Sequence, residues 1–266
     1  EELGLLKMDF LGLRTLTVIQ NAAKAVEKNR GVVLDMDTID YDDKAVLESI
    51  GTGKDDGVFQ LESSGMKSFM KELKPQSLED IIAGISLYRP GPMDFIPKYL
   101  KGKNDPSSAT YDCPQMEPIL SPTYGCIVYQ EQVMQICRQM AGYSYGRADL
   151  VRRAMSKKKA SVMEKERENF IYGKKREHGS YECVGAVNNG VSEQVANEIF
   201  DEMSGFASYA FNKAHAAAYA TVAYQTAYLK CHYPLEYMAA LFTSELDNTD
   251  KVIESIGACQ KPGIRV

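Results

Sequence analysis

The sequence predicts a mainly α fold (α+β), with a few short strands near its start, and two observations carry that prediction. Apolar residues recur at helical spacing through most of the chain, and these periodic runs begin at capping residues and stop at glycine or proline. The 266 residues, 44% hydrophobic and 25% charged, have the balance of one large globular domain or of a domain with part of a second.

The elements follow in order. Leu5-Leu6-Lys7-Met8 is a strand-like run that ends on Asp9, and a helix opens at about Arg14. Leu16, Ile19, Ala22, Ala23 and Val26 form its apolar stripe, with Gly31 where a C-terminal cap belongs. A short helix is expected from Asp43 to Ile50, closed by Gly51. Val58-Phe59-Gln60-Leu61 reads as extended, and Ser63 or Ser64 then starts a helix through Leu73. Ser77-Leu78-Glu79-Asp80 is a capping box that opens a helix to Leu87. Pro90-Gly91-Pro92 ends that helix at Tyr88 or Arg89. Residues 102–118, rich in Gly, Asn, Pro and Ser, read as an exposed loop. Ile127-Val128-Tyr129 leads into a helix with Val133, Ile136 and Met140 on one face. Further helices are expected over 146–157, 161–177, 192–204, 214–231 and 235–246.

Bulk charge narrows the function. A net charge of −5 argues against a protein that coats nucleic acid through global charge, while leaving room for a local basic groove. Cys113, Cys126, Cys137, Cys183, Cys231 and Cys259 are scattered, with no C-x-x-C pair. Neither a zinc module nor a disulfide framework is suggested, and a reducing, cytosolic setting fits. The most apolar stretch, Ala214 to Leu229, is interrupted by His215, Tyr219, Tyr224 and Gln225, so no membrane span is expected. The chain has no initiator methionine and stops in mid-pattern at Gly263-Ile264-Arg265-Val266, as an internal piece of a longer chain would.

Three features carry chemistry. Asp9 is a lone carboxylate at the end of an apolar run; it is either a helix cap or turn residue, or a group with a cation to hold. From Arg138 to Arg176 twelve basic residues face four acidic ones, a local excess of eight. Such a run is either a solvated helix face or an anion site. Arg152, Arg153 and Lys157 fall on one side of a helix, opposite Ala148, Val151 and Met155, which favours gripping a polyphosphate. In Phe211-Asn212-Lys213-Ala214-His215, Asn212 can cap the next helix and leave its first N–H groups and dipole aimed at an anion. Lys213 adds a charge there, and His215 lies in the first turn. Gly51-Thr52-Gly53-Lys54-Asp55 superficially resembles a P-loop but lacks its glycine spacing and the Ser/Thr after the lysine. The tyrosines, among them Tyr209, Tyr219, Tyr224 and Tyr228, read as core rather than as base-stacking platforms.

Ordered along the chain, these strings resemble the α subunits of bacterial DNA polymerase III, the C-family replicative polymerases. The resemblance runs nearly end to end. It rests on Lys7-Met8-Asp9-Phe10-Leu11-Gly12-Leu13-Arg14-Thr15, Phe59-Gln60-Leu61-Glu62-Ser63, Arg89-Pro90-Gly91-Pro92, Pro122-Thr123-Tyr124-Gly125 and Tyr129-Gln130-Glu131-Gln132-Val133-Met134. Arg152-Arg153-Ala154-Met155, Lys157-Lys158-Lys159, Phe211-Asn212-Lys213-Ala214-His215 and Tyr224-Gln225-Thr226 complete it. It implies that residues 1–29 are the C-terminal edge of a nucleotidyltransferase-type palm, its last strand and helix. Residues 30–266 would be a helical fingers domain, incomplete at its C-terminus. Asp9 would be the third of three catalytic, metal-binding aspartates; the other two belong to an Asp-x-Asp strand that does not precede it here.

The implied activity is DNA-directed DNA polymerisation, adding dNTPs to a primer 3′ end by two-metal-ion phosphoryl transfer with two Mg²⁺ ions. Arg152, Arg153, Lys157, Asn212, Lys213 and His215 would bind the incoming nucleotide. Arg89 and Lys158 would touch DNA or nucleotide, unless they serve only as a turn anchor and a solvated charge. Implied partners are primer-template DNA, dNTPs, and a sliding clamp and clamp loader reached through regions outside this sequence, in a bacterial cytoplasm at the nucleoid. Alone, the segment is expected to be inactive, because one carboxylate does not make a two-metal site. The competing reading is a non-catalytic helical module that binds nucleic acid through the 138–176 basic face.

Overall fold

The structure is a computed structural model that describes residues 4–5, 8–156, 160–206 and 209–260; at 156, 160–162, 251, 254–255, 258 and 260 it describes the backbone alone. By its contacts the chain divides into two units, residues 1–78 with 220–266, and residues 79–219.

In the first unit, α1 (Arg14–Arg30), α2 (Lys44–Gly51) and α3 (Ser64–Leu73) form close to where the periodicity puts them. Gly31 caps α1, and the side chains of Asp43 and Ser63 cap α2 and α3. The unit is completed by the greater part of α11 (Lys213–His232), by α12 (Pro234–Glu245) and by α13 (Thr249–Gln260). Val18, Ile19 and Ala22 of α1 pack with Leu229, Tyr237, Met238 and Ala240 in one core cluster. Arg30 closes that packing with a bidentate pair to the nearly buried Glu236, at 2.9 and 3.0 Å. The loop 35–43 is tied to α11: the Tyr224 hydroxyl donates to the Asp40 carbonyl and accepts from the Asp43 amide, and Gln225 donates to the Met36 carbonyl.

One reading of this unit lies partly outside the described residues and one is corrected. Of the strand-like run from Leu5 to Asp9, residues 6 and 7 lie outside the described residues; residues 8–13 have no regular structure, and Met8, Phe10 and Leu11 are exposed. Residues 58–61 are not extended but turn, with Gln60 at φ 63, so that Val58 and Leu61 both point into the core.

The second unit is a helical assembly. Its helices are nearly all of α4 (Leu78–Leu87), α5 (Ile96–Asn104), the single turn α6 (Glu117–Leu120), α7 (Gln130–Ala141), α8 (Tyr145–Ser156), α9 (Ala160–Tyr172) and α10 (Glu193–Phe206), with the first turns of α11. Helices α6 to α10 share one core cluster. Val133, Ile136, Cys137 and Met140 of α7 meet Ala148, Val151 and Met155 of α8, Phe170 and Ile171 of α9, and Ile199, Phe200 and Met203 of α10. The segment 102–118 is not a plain loop. It holds the end of α5, 3-10 turns at Pro106–Ser108 and Pro114–Met116, and the start of α6, and Met116 is buried.

The helix expected over 161–177 stops at Tyr172. Gly173 has φ +83, and an added Cβ there would run into the carbonyls of Cys183 and Val184, so the chain turns into a hairpin. Strands β1 (Lys174–Lys175) and β2 (Tyr181–Cys183) pair antiparallel, and they are the only strands among the described residues. The fold is thus mainly α, and the short strands among the described residues are here. None of the described helices is long and apolar enough to cross a membrane.

Candidate functional site

In the second unit two helices begin side by side. Tyr129, just before α7, forms a parallel bridge with Phe211, two residues before α11. The Phe211 amide donates to the Val128 carbonyl at 3.1 Å, and the Gln130 amide donates to the Phe211 carbonyl at 2.9 Å. Buried Gln132 holds Val128 and Tyr129 in place. Its Oε1 accepts from both amides, at 2.8 and 3.0 Å, while its Nε2 donates to Thr123 Oγ1 and the Ile119 carbonyl.

Arg89, Lys213 and, from the basic run, Arg152 gather around this bridge. Asn212 caps α11 through its Oδ1, which accepts from the His215 amide at 2.8 Å. His215 is exposed and its ring lies between those of Phe211 and Tyr219, at 5.4 and 4.2 Å. Lys213 reaches over the Tyr129 ring and pairs with Glu79 at 3.0 Å. Arg89 stacks on Phe211 at 4.4 Å and donates to the carbonyls of Ser86 and Tyr209. Burial lowers its pKa from the ordinary value. Gly91, at φ +98, lets the turn pass against the Tyr209 ring, where an added Cβ would clash.

On α8, Ala148, Val151 and Met155 are buried and Arg153 lies opposite them with an exposed side chain, but Arg152, one turn after Ala148, flanks the buried stripe and is mostly buried, not opposite it as expected. Asp149 binds both: Oδ1 accepts from Arg152 at 3.0 and 2.6 Å, and Oδ2 lies 2.8 Å from Arg153. The Arg152 hydrogen bond holds the Asp149 carboxyl below its usual value, against a smaller opposing desolvation. Arg152 also donates to Gln130 Oε1 at 3.0 Å, which joins α8 to the bridge. Arg153 keeps an exposed side chain. Lys157 and Lys158 lie outside the described residues.

Sequence reasoning missed the counter-ions. The first amide of α11 is not open to an outside anion: the Lys213 N–H is held by both oxygens of Glu131, at 3.1 and 3.0 Å, and Asn212 Nδ2 donates to the same carboxylate. Glu131 is the second residue of α7 and lies eighty-two positions before Lys213, so no local pattern ties the two together. Part of the basic run is likewise ion-paired. Arg147 binds Glu166 bidentately and also Glu182, Arg167 reaches Asp201, and Lys174 pairs with Glu182.

Asp9 belongs to the first unit, where it is exposed on backbone without regular structure. Two Asp-x-Asp tripeptides do occur, at 35–37 and 40–42. Both are side-chain-closed turns, in which the Asp35 and Asp40 carboxylates accept the amides of Asp37 and Asp42. No three His, Cys, Asp or Glu residues among those described come together to hold a metal ion. The described residues therefore do not fit a two-metal centre, to which Asp9 can offer one carboxylate.

Comparison with known proteins agrees with the order of the motifs. The family described as the bacterial DNA polymerase III alpha subunit finger domain matches residues 15–178. The DNA polymerase III subunit alpha of Thermus aquaticus is 50% identical over 271 residues, which cover 100% of this chain and 21% of that protein. The DNA polymerase III subunit alpha of Staphylococcus aureus strain COL is 44% identical over 266 residues, covering 100% and 24% respectively. The chain thus spans between a fifth and a quarter of the length of these curated relatives.

Proposed function

Because the chain belongs to the family of bacterial DNA polymerase III alpha subunits, we propose that it is the fingers part of a replicative DNA polymerase and binds the incoming dNTP. Residues 30–266 are assigned to the fingers and 1–29 to the edge of the palm. The observation that carries the nucleotide assignment is the convergence of α8 and the start of α11 on one bridge. Arg152, Arg153, Lys213 and the capped α11 terminus lie within one hydrogen-bonded set.

Guanidinium groups hold phosphate oxygens bidentately, and Lys213 adds a point charge. Charge that develops on the leaving pyrophosphate would then be met by Arg153 and Lys213 as they exchange Asp149 and Glu79 for phosphate oxygens. His215 and Asn212 shape the helix end, and Arg89 is assigned to the turn that supports Phe211 rather than to the nucleotide. Asp9 is assigned as one carboxylate ligand of the two Mg²⁺ ions, with the remaining ligands lying outside the residues described here. Primer-template DNA is the second substrate.

The alternative, a non-catalytic nucleic-acid module using the 138–176 face, gives no role to the meeting of that face with the start of α11 at the bridge. The test is single-nucleotide incorporation by a full-length α subunit carrying this segment. Arg153→Ala should raise the apparent KM for dNTP or lower kcat by at least ~tenfold. Asp9→Asn should abolish addition with DNA affinity kept. Unchanged kinetics for Arg153→Ala would remove the nucleotide assignment, and residual polymerisation by Asp9→Asn would remove Asp9 from the metal centre.

A further inference from the structure

We propose that the dipeptide Gln130-Glu131, in the first turn of α7, sets the register of the two phosphate-gripping elements: Gln130 aims Arg152, and Glu131 fixes the start of α11. Neither residue is assigned to touch the nucleotide; each is a positioning residue, and the inference rests on the nucleotide-binding reading above.

The geometry is specific to each side chain. The Gln130 amide uses both ends: Oε1 accepts from Arg152 Nη1 at 3.0 Å, and Nε2 donates to the Ala210 carbonyl at 3.1 Å. Turning that amide over would set its NH₂ against the guanidinium and its oxygen against a carbonyl, so only one orientation serves both partners. The Gln130 backbone is itself fixed, because its amide donates to Phe211. Arg152 is therefore referenced to the strand-like segment that leads into α11, and not only to Asp149 on its own helix.

Glu131 works on the other element. Its carboxylate takes the Lys213 amide and Asn212 Nδ2. Fixing Nδ2 in this way leaves Asn212 Oδ1 directed at the His215 amide, which is the cap itself. Hence one turn of α7 determines both where the Arg152 fork points and where the Lys213 side chain departs. Arg and Lys lose much rotamer freedom when ordered, and misplacing a positioned group by about 1 Å costs up to about a hundredfold in rate. Supporting residues of this kind should show their effect in nucleotide kinetics rather than in DNA affinity.

The experiment uses a full-length α subunit carrying this segment, with primer-template, and measures dNTP KM, kcat and DNA Kd. The variants are Gln130→Met, Glu131→Gln, Arg152→Ala and the double variant Gln130→Met with Arg152→Ala. Gln130→Met should raise the KM for dNTP about fivefold to tenfold with DNA Kd within about twofold, and should add less than about twofold in the Arg152→Ala background. Glu131→Gln changes one atom and keeps an acceptor. It should raise KM about threefold and speed hydrogen exchange at the Lys213 amide.

An unchanged KM in both folded variants would overturn the proposal, as would a Gln130→Met effect that adds in full to that of Arg152→Ala. A parallel loss of DNA affinity would overturn it too, because it would mark general damage to the fold. If Arg152→Ala itself has no effect, the nucleotide-binding reading fails. If Arg152→Ala is impaired and Gln130→Met is not, only the present inference fails.

Discussion

Gln132→Met keeps the length of the side chain and removes four hydrogen bonds at once, so its cost can be worked from the geometry. Gln132 is 5% exposed. Its loss leaves the amides of Val128 and Tyr129 and the carbonyl of Ile119 without their partner. Thr123 is spared, because its hydroxyl also reaches the carbonyls of Leu120 and Cys126. An unsatisfied buried polar group costs about 1–3 kcal/mol, so three of them cost about 3 kcal/mol at the low end. That is a large share of a typical domain stability of about 5–15 kcal/mol. In hydrogen exchange, 3 kcal/mol corresponds to a loss of protection of roughly a hundredfold at Val128 and Tyr129. Exchange followed residue by residue reads this directly, with the amides of α10 as an internal reference. Loss of less than about tenfold, with α10 unchanged, would refute the argument that Gln132 holds the Tyr129–Phe211 bridge.

Two further outcomes follow from features away from the bridge. Burial pushes the Asp55 carboxyl up to about 7, and its Oδ2 is buried without a hydrogen-bond partner. The folded chain then keeps a proton that the unfolded chain loses near pH 4, so this stability is full below about pH 4 and is lost as pH rises through about 7. Asp55→Asn should therefore be more stable than wild type at pH 8, by an amount of order 4 kcal/mol at most, with the difference shrinking toward pH 4.5. Parallel urea midpoints for the two proteins across that range would contradict this. Gly91→Ala puts a Cβ into the Tyr209 ring at a backbone φ of +98, which costs about 1–3 kcal/mol in strain alone. It should lower the melting temperature and weaken the Arg89 contact with the Tyr209 carbonyl, and a full-strength melt would show that the turn has room the structure does not give it.

What was legible in the sequence was local. The stripe from Leu16 to Val26, the Asp43 and Ser63 caps and the break at Pro90 depend on residues within a few positions of one another, and those helices form where expected. Misreadings came where distant contacts override local signals. Val58-Phe59-Gln60-Leu61 reads as extended, yet Thr226 accepts the Phe59 amide and the segment turns. Residues 173–177 continue a helical charge pattern, but close packing of Gly173 on Val184 stops the helix. Within the candidate site, the cations were visible as a composition bias, whereas Glu131 and Glu79 were not, since each lies far in sequence from Lys213, which both meet.

The paired helix starts at Gln130 and Lys213 have a consequence for where selectivity resides. Each helix terminus carries roughly half a positive charge, and the two lie next to one another. Glu131 stands in the first turn of one and accepts the first amide of the other. One full negative charge thus balances two halves, and the junction is close to neutral by itself. On the nucleotide-binding reading proposed above, a triphosphate arriving there would find no excess field from the backbone, and discrimination would come from the side chains that can change partners: Arg153 leaving Asp149, and Lys213 leaving Glu79. Exchange of one anion for another is nearly balanced in charge, so it responds to the shape and oxygen count of the ligand more than to its net charge. On that reading, such a surface would distinguish a nucleoside triphosphate from a polyanionic nucleic-acid backbone.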